Sequence, residues 1–375
     1  MPNSQIGYRP TWAEVNLENV AWNFAQVKKL IAPQTKVMAC VKADAYGHGI
    51  VPVSKKLESL GVDYLGVASI DEGITLRQAG QNLPILVMGM AFKKDAPILL
   101  RHNLTPTVSG EDLILGLKKN SAKLRGRVNI QIKVDTGMSR IGVLLKDALS
   151  FIKKISRLKF INIEGLFTHL ACADLNREYT LGQINSFSHL IEELERSGIH
   201  IPLKHAANSM GVLGYAMSHF NMVRPGLMLY GLYPKKGLKV NLKPALGLRT
   251  KIVYVKRLPK GQGISYGHTY ITKQPTTIVT LPIGYGDGYP RNLSNLAPAL
   301  IKGKRFKVSG RVCMDQVMVD VGGVPVKAGD EAVLIGRQGR DKITTEELAY
   351  LSGTIPYEIV CGLGARIPRV YQDRF

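Results

Sequence analysis

Cysteine is scarce in this sequence, and its spacing gives no indication of a metal site. The 375 residues contain four cysteines, Cys40, Cys172, Cys313 and Cys361, which lie far apart and form no CxxC pair. Closely spaced Cys and His ligands mark structural zinc sites, and neither residue type shows that spacing here. We therefore expect reduced thiols, most of them buried, and no metal centre.

Long apolar runs are also missing. No stretch approaches the roughly 18–20 consecutive apolar residues that span a bilayer, although 45% of the residues are hydrophobic. The start, MPNSQIGYRPTWAEV, lacks the basic segment followed by an apolar one that a secretory signal would show. The sequence thus predicts a globular cytoplasmic protein with no membrane association.

Acidic residues are few relative to basic ones, 28 against 50, which gives a formal net charge of +22. Nucleic-acid-binding proteins have such an excess, usually concentrated in one patch or arm. Here the excess is spread, with +12 in residues 1–240 and +10 in residues 241–375. We therefore expect no nucleic-acid partner. A basic nucleic-acid-binding protein would instead bind DNA in a salt-sensitive manner and need no cofactor.

Helical and strand-like patterns alternate from residue 20 to about residue 230, which favours a parallel sheet covered by helices. Ile184, Phe187, Ile191 and Leu194, for example, recur at helical spacing. The apolar runs that we interpret as strands are Val37–Val41, Tyr64–Ala68, Ile85–Met88, Leu104–Val108, Val128–Val134, Ile161–Phe167, Pro202–Ala206 and Met222–Leu229. Eight strands alternating with helices predict an α/β fold, a (β/α)8 TIM-type barrel.

The pattern changes after Pro244, where alternating runs are punctuated by glycine and proline. The runs are Arg249–Lys256, Thr277–Leu281 and Gln316–Val321, and only Thr344–Leu351 has a helical pattern, with Thr344 and Glu347 spaced as a capping box. We predict a barrel domain at residues 1–240 and a mainly β domain at residues 241–375. The first segment of the chain has the alternative of pairing with the second sheet.

Polar side chains follow the predicted barrel strands, where a barrel enzyme has its active site. They are Lys42, Lys133, Arg140, His169, His205, Asn208, Ser209 and Arg224. Lys42 directly follows a buried run, and desolvation there would favour the neutral amine that forms imines. Taken alone, Lys42 is better interpreted as a lysine that ends a strand and reaches solvent.

The surrounding motifs resemble those of one family, the alanine racemases, over nearly the whole chain. The motifs are VKADAYGHG (41–49), KVDTGMSRIG (133–142), GLFTHLACAD (165–174), HAANS (205–209), VRPGLMLYG (223–231), ISYGHTY (264–270), GYGDGYPR (284–291), GRVCMDQ (310–316) and YEIVCGLGARIPRVY (357–371). They occur in the family's order. The resemblance implies a pyridoxal 5'-phosphate enzyme built from a barrel and a β domain.

By this resemblance, Lys42 holds the cofactor as an internal aldimine and then acts as one of two catalytic bases. Tyr266 matches the opposing base. Inversion at Cα requires that one proton leaves one face and another arrives on the opposite face, so two bases on opposite faces suit the reaction. Without the motifs, Tyr266 would be interpreted as an ordinary tyrosine of a half-buried strand.

The resemblance also assigns the cofactor contacts. Arg224 matches the residue that faces the pyridine nitrogen, and His205 matches its hydrogen-bond partner; an arginine can only donate, so it leaves that nitrogen unprotonated. The other implied cofactor-binding residues are Tyr46, His169, Asn208, Ser209, Gly226 and Tyr357. Outside this context, Arg224 would be compatible with a surface ion pair and His169 with a structural role.

For the substrate, the resemblance implies that Arg140 and the backbone N–H of Met314 bind the carboxylate and that Tyr285 and Tyr357 narrow the entrance. Lys133 matches a position that is carbamylated in many family members. Tyr266 and Met314 of one subunit would reach the active site of the other in a head-to-tail homodimer. The implied activity interconverts L-alanine and D-alanine and supplies D-alanine for peptidoglycan.

Related pyridoxal enzymes are the alternatives. A broad-specificity amino-acid racemase would share these motifs, so turnover of serine and lysine must be tested. An amino-acid decarboxylase of similar architecture would have an acidic partner for the ring nitrogen and a glycine-rich phosphate loop, whereas this chain has Arg224 and no such loop.

Overall fold

We describe the fold from a computed structural model that covers residues 8–121, 126–235 and 237–372. The strands are β1 (Thr11–Asn16), β2 (Lys36–Cys40), β3 (Tyr64–Val67), β4 (Ile85–Met90), β5 (Thr105–Val108), β6 (Val128–Asp135), β7 (Val143–Leu144), β8 (Ile161–Phe167), β9 (Leu203–His205), β10 (Met222–Val223), β11 (Leu246–Lys251), β12 (Tyr254–Leu258), β13 (Gly263–Ile264), β14 (Tyr270–Ile271), β15 (Thr276–Leu281), β16 (Pro298–Ile301), β17 (Lys304–Lys307), β18 (Val317–Gly322), β19 (Glu331–Gln338), β20 (Asp341–Ile343) and β21 (Arg369–Gln372). The helices are α1 (Leu17–Leu30), α2 (Lys42–Gly47), α3 (Ile50–Ser59), α4 (Ile70–Gln78), α5 (Ala96–Arg101), α6 (Glu111–Ser121), α7 (Leu145–Ser156), α8 (Arg177–Arg196), α9 (Ser209–Gly214), α10 (Thr345–Ser352) and α11 (Pro356–Cys361).

Eight parallel strands form a nearly closed barrel in the order β10-β2-β3-β4-β5-β6-β8-β9. Short strands such as β3 and β5 are buried along their whole length, as expected for a parallel sheet covered by helices. Of the residues with helical spacing in α8, Ile184, Phe187 and Leu194 are buried. The predicted (β/α)8 barrel is confirmed.

The last barrel strand differs from the prediction. The apolar run Met222–Leu229 forms a strand only at Met222–Val223, and Leu227–Tyr230 is a 3-10 helix. Pro225 has no N–H to donate to a ladder, so the strand ends before it. This early end places Arg224 and Gly226 in the loop at the carboxyl edge of the barrel.

The second domain is mainly β, as predicted, and the first strand of the chain belongs to its sheet. β1 pairs antiparallel with β11 and parallel with β21. The sheet has the order β17-β16-β19-β11-β1-β21, with β20 beside β19, and the smaller sheets are β12-β15-β18 and β13-β14. The alternative pairing of the first segment is therefore confirmed, while the boundary at residue 240 stays a prediction.

Two details of the second domain correct the sequence interpretation. The run Arg249–Lys256 is divided between β11 and β12, which pair with different partners. A second helix, α11, follows α10 and begins with Pro356, a residue suited to a first helical turn. In α10 the Thr344 side chain accepts from the Glu347 N–H, whereas the Glu347 carboxylate binds Arg305.

In the described ranges, no helix is long and apolar enough to cross a membrane.

Candidate active site

A cavity of about 490 Å³ lies at the carboxyl ends of the barrel strands. It brings together ten of the residues predicted from the sequence: Lys42, Tyr46, Lys133, Arg140, His169, Asn208, Ser209, Arg224, Gly226 and Tyr357. The second domain contributes Tyr357 and Cys361 through α11. The cavity therefore lies between the barrel and the second domain of one chain.

Lys42 lies at the start of an unusual left-handed turn. Ala43, Asp44, Ala45 and Tyr46 have φ values of 53–54° and ψ values of 41–52°, so α2 is a left-handed helical turn. Residues with a Cβ avoid this region because the side chain crowds the following carbonyl. The turn places Lys42 and Tyr46 in the same cavity although they are four residues apart.

Hydrogen bonds and packing fix this turn. The Ala43 N–H donates to Glu72 Oε1 over 2.6 Å, and the Ile50 N–H donates to Asp44 Oδ1 over 2.7 Å. A Cβ on Gly47, which has φ 78°, would lie 2.2 Å from the carbonyl oxygen of Val360 in α11. Glycine is therefore required at Gly47 both by its backbone conformation and by the close approach of α11.

Arg224 is buried and fully oriented. Its Nη1 donates to His205 Nδ1 over 2.6 Å, and its Nη2 donates to the carbonyl oxygens of Thr168 and Ala206 over 2.6 and 3.1 Å. Burial lowers the pKa of Arg224 to about 10, so the guanidinium remains protonated at neutral pH. These three bonds use three of its five N–H donors, which leaves donors for a ligand in the cavity.

His205 lies behind Arg224. It is completely buried, and its ring stacks on Phe167 with centroids 4.9 Å apart and planes 2° from parallel. Burial, and then the charge of Arg224, lower the pKa of His205 well below its usual range. The imidazole is therefore neutral and accepts a hydrogen bond from Arg224.

Hydroxyl groups and backbone amides form a second part of the cavity. Ser209 Oγ accepts from the N–H groups of Gly226 and Met228 over 3.1 and 3.2 Å. A Cβ on Gly226 would lie 2.5 Å from the Tyr46 hydroxyl, so glycine keeps this space open. Asn208 caps α9 by accepting from the Gly211 N–H. The set can donate to an anion without a further cation.

Two tyrosines near Ser209 and Gly226 stay protonated. Burial raises the pKa of Tyr357 to about 12 and raises that of Tyr46 well above its usual range. Their rings are tilted against each other, with centroids 5.9 Å apart. Both hydroxyls are therefore hydrogen-bond donors at neutral pH.

Lys133 and His169 lie near the other cations of the cavity, Lys42, Arg140 and Arg224. Burial, and then the charges of Arg140 and Arg224, lower the pKa of Lys133 to about 8. Burial, and then Arg224, Lys133, Arg140 and Lys42, lower the pKa of His169 well below its usual range. His169 is therefore neutral.

The loop that carries Arg140 is organised by Asp135. Its Oδ1 accepts from the N–H groups of Gly137, Met138 and Ser139 over 2.9–3.1 Å. Burial alone would raise the pKa of Asp135, but these three bonds lower it below its usual value. The loop is thus held by a carboxylate that remains ionised.

The other predicted residues form a separate surface in the second domain. Tyr266 and Met314 line a different cavity from Lys42, and their side chains are exposed. Tyr285 adjoins this surface, because its N–H donates to the Cys313 carbonyl over 3.0 Å. One chain therefore does not bring Tyr266, Met314 and Tyr285 into the cavity of Lys42.

Sequence reasoning missed two residues of the barrel interior. Phe167 lies under His205, with the charges of Arg224 and Lys133 5.4 and 5.6 Å from its ring centre. Gln131 bonds His205 from the other side, at 2.8 Å. A glutamine in the buried run VNIQIKV could have been recognised as a residue that needs a polar partner.

Comparisons with known proteins agree with this geometry. The family description "Alanine racemase, N-terminal domain" matches residues 15–234, and "Alanine racemase, C-terminal domain" matches residues 245–371. An alanine racemase of Halothermothrix orenii is 46% identical over 370 residues, which cover 98% of each chain. The structure of the Clostridium difficile 630 alanine racemase is 40% identical with a TM-score of 0.92 and covers 97% of this chain and 96% of that chain. The Bacillus anthracis alanine racemase with bound L-Ala-P is 36% identical with a TM-score of 0.91, covering 98% of this chain and 96% of that one. This chain therefore belongs to the alanine racemase family.

Proposed function

We propose that this protein interconverts L-alanine and D-alanine with pyridoxal 5'-phosphate as its cofactor, and that it supplies D-alanine for peptidoglycan. The observation that carries the proposal is the cavity in which Lys42, the Arg224–His205 pair and the cradle of Ser209 and Gly226 meet. We also propose a cytoplasmic location, which is typical of the family.

The residues present fit the cofactor that alanine racemases use. The Lys42 amine would supply the covalent attachment, and the hydroxyls of Tyr46, Ser209 and Tyr357 would supply donors for a phosphate, joined by the Gly226 N–H when it turns from Ser209 Oγ to the ligand. The space that a Cβ on Gly226 would fill supports this assignment. Asn208 holds α9, which carries Ser209, and His169, which lines the same cavity, would lie against the cofactor ring.

Two residues move protons at Cα of the substrate. When bound, pyridoxal phosphate supplies an electron-withdrawing ring that acidifies the Cα–H bond. Lys42 Nζ removes or returns the proton on one face, and the Tyr266 hydroxyl oxygen does so on the opposite face. Their reversed roles account for the two directions of the reaction.

Arg224 determines where the proton returns. Its guanidinium would donate to the ring nitrogen and offers no acceptor for an N–H there, so that nitrogen would stay unprotonated and would withdraw electrons less strongly. Less charge then accumulates on the ring carbons, which favours reprotonation at Cα over transamination. His205 maintains this donor through the 2.6 Å bond.

The remaining residues bind the substrate carboxylate and limit the size of the substrate side chain. Arg140 and the backbone N–H of Met314 bind the carboxylate, and the negative charge that carbamylation would give Lys133 orients Arg140. Tyr285 and Tyr357 leave room for a methyl group and little more, which favours alanine.

A homodimer completes the site. Tyr266 and Met314 line a different cavity from Lys42 in the described chain, which supports the proposal that they act in the site of a second copy. A twofold arrangement provides two such shared sites.

The test is a racemisation assay in deuterated water with added cofactor, using L-alanine, L-serine and L-lysine in separate reactions. We expect Cα-deuterated D-alanine and slow turnover of the other two. Comparable turnover of serine or lysine would instead indicate a broad-specificity racemase. Absence of exchange on every substrate, despite yellow cofactor-bound protein, would contradict racemisation.

A matched pair of lysine variants completes the experiment. Lys42→Ala is expected to lose both the absorbance of the lysine-bound cofactor and the exchange. Lys36→Ala, at the opposite, exposed end of the same strand, is expected to retain both.

A further inference from the structure

A column of hydrogen-bonded side chains extends from Arg224 into the barrel. Arg224 Nη1 lies 2.6 Å from His205 Nδ1, and His205 Nε2 lies 2.8 Å from Gln131 Oε1. Farther along the interior, the Tyr64 hydroxyl donates to Glu164 Oε2 over 2.6 Å. Arg224, His205 and Gln131 are 3%, 0% and 0% exposed, so water does not replace any of these contacts.

The hydrogen atoms on His205 follow from its two partners. Arginine has donors and no acceptor, so His205 Nδ1 must accept and the ring proton must be on Nε2. That N–H then donates to Gln131, which must present its oxygen. With the amide reversed, two N–H groups would face each other in a buried site.

The surroundings of Gln131 favour this amide orientation. Its Nε2 makes no well-formed hydrogen bond within the described residues, and the polar neighbours of the side chain are His205, 2.8 Å from Oε1, and the Tyr64 hydroxyl. Gly165 is opposite Gln131 in the β6–β8 register. A Cβ on Gly165 would lie 2.8 Å from Gln131 Cδ and 3.0 Å from Oε1, so the glycine provides the space for the amide.

At the position of Gln131, a neutral amide and a carboxylate would have different effects on the protonation of His205. A carboxylate beside Nε2 would favour a second proton on the imidazole, as in catalytic Asp–His pairs. The added Nδ1–H would then point at the Arg224 guanidinium, and the bond between them would be lost. An amide accepts the same hydrogen bond without adding charge.

We propose that Gln131 is a positioning residue: it accepts from the His205 Nε2–H, fixes the ring in the orientation in which Nδ1 accepts from Arg224, and thereby holds Arg224 as the donor to the cofactor ring. The role of Arg224 in this statement rests on the proposed function. Gln131 touches neither substrate nor cofactor and acts through His205.

The first test is the ¹⁵N NMR signature of the His205 ring in protein labelled at histidine, recorded at pH 7 with and without cofactor. We expect a neutral ring with its hydrogen on Nε2 in the wild-type protein. Gln131→Glu is expected to give a ring protonated on both nitrogens, and Gln131→Met a neutral ring whose Nε2 signal is shifted because its hydrogen bond is lost. A Gly165→Ala variant, which displaces the amide without replacing it, is expected to resemble Gln131→Met.

The second test is the ratio of pyruvate formed to alanine racemised. Loosening Arg224 should raise this ratio roughly tenfold, the effect of losing one buried hydrogen bond. A loss of folded protein alone would lower both reactions in proportion. Gln81→Glu is the matched control, because Gln81 is also a buried glutamine with an unpartnered amide nitrogen but lies at the end of α4.

The proposal is overturned if the wild-type ring carries its hydrogen on Nδ1 or on both nitrogens. It is also overturned if Gln131→Met and Gly165→Ala both keep the wild-type ring signature and pyruvate ratio, which decides the question even if Gln131→Glu does not fold. The signature can be read without cofactor. Failure of the wild-type protein to racemise would therefore contradict the proposed function separately.

Discussion

The charge of the cavity comes from four cations, Lys42, Lys133, Arg140 and Arg224. Among its described lining residues there is no aspartate or glutamate. The cofactor phosphate and the substrate carboxylate would supply part of the missing negative charge. The pKa of Lys133, lowered to about 8 first by burial and then by Arg140 and Arg224, is the residue-scale consequence of this imbalance.

We predict that Lys133 is carbamylated. A pKa of about 8 leaves part of the amine neutral at physiological pH, and the neutral amine attacks the carbon of CO₂ while losing one proton. The product is an anion beside two arginines. Protein equilibrated with ¹³C-bicarbonate should show a carbamate signal by NMR that weakens as pH falls below 8, because the protonated amine does not react.

Variants identify the source of that signal. Lys133→Ala should lose it and bind alanine more weakly, since Arg140 loses the group that orients it. Lys119→Ala, at an exposed position of α6, should keep the signal. A signal that persists in Lys133→Ala would assign the carbamate to another amine.

Among single residues, the polar side chains at the ends of predicted strands identified much of the cavity. Lys42, Lys133, His169 and Arg224 stand where parallel strands end, and a barrel brings such ends together. Phe167 was missed because an aromatic residue that ends an apolar run has the pattern of an ordinary core residue. Its place between His205 and two cations depends on the packing of three different strands.

The left-handed turn is the notable element of the site. A left-handed conformation costs roughly 1–2 kcal/mol for each residue with a Cβ, or about 4–8 kcal/mol for four. The bonds from Ala43 to Glu72 and from Ile50 to Asp44, and the contact of Gly47 with α11, offset part of this cost. The turn directs both Lys42 and Tyr46 into the cavity.

We predict that Asp44→Ala weakens cofactor binding. The variant loses the carboxylate that accepts from the first N–H of α3, so the free energy of unfolding should fall by about 1 kcal/mol. The dissociation constant of pyridoxal phosphate should rise, because Lys42 and Tyr46 flank the loosened turn. Urea unfolding of the cofactor-free protein and a spectroscopic cofactor titration measure the two effects.

Two variants test the cause. Asp44→Asn keeps an acceptor and should behave nearly as the wild-type protein does, and Glu58→Ala changes an acid of α3, the helix whose first N–H donates to Asp44. An unchanged cofactor affinity in Asp44→Ala would show that the rest of the fold fixes the turn without this bond.

The sequence could not predict this turn from local preferences. Ala43 and Ala45 favour right-handed helices, and tertiary contacts with Glu72 and α11 override that preference. The shortened β10 has a local cause, Pro225, that the apolar pattern around it obscured. The division of Arg249–Lys256 into two strands depends on their partners, β19 and β15, and partner choice is not encoded in alternation alone.

At the scale of the whole molecule, distant parts of the chain are joined twice. β1 completes the sheet of the second domain, and α11 of that domain closes one side of the barrel cavity. Arg9, just before β1, binds Asp287 in the loop that carries Tyr285. Periodicity predicted the two domains and left open the pairing of β1, since pairing across more than 200 residues leaves no local pattern.

The proposed dimer predicts complementation between two inactive proteins. If Lys42 and Tyr266 of a site come from different subunits, Lys42→Ala and Tyr266→Ala each disable both sites of their own dimers. A mixed dimer contains one site with both residues intact. Random exchange of subunits should therefore restore about one quarter of wild-type activity per site.

The control is the double variant Lys42→Ala/Tyr266→Ala mixed with either single variant, in which no dimer contains an intact site. Activity measured after subunit exchange, against unmixed samples kept under the same conditions, decides the arrangement. If both residues acted within one chain, every site in the mixture would still lack one of them and no activity would return. Recovery in the mixture of single variants alone would show that the second base comes from the partner.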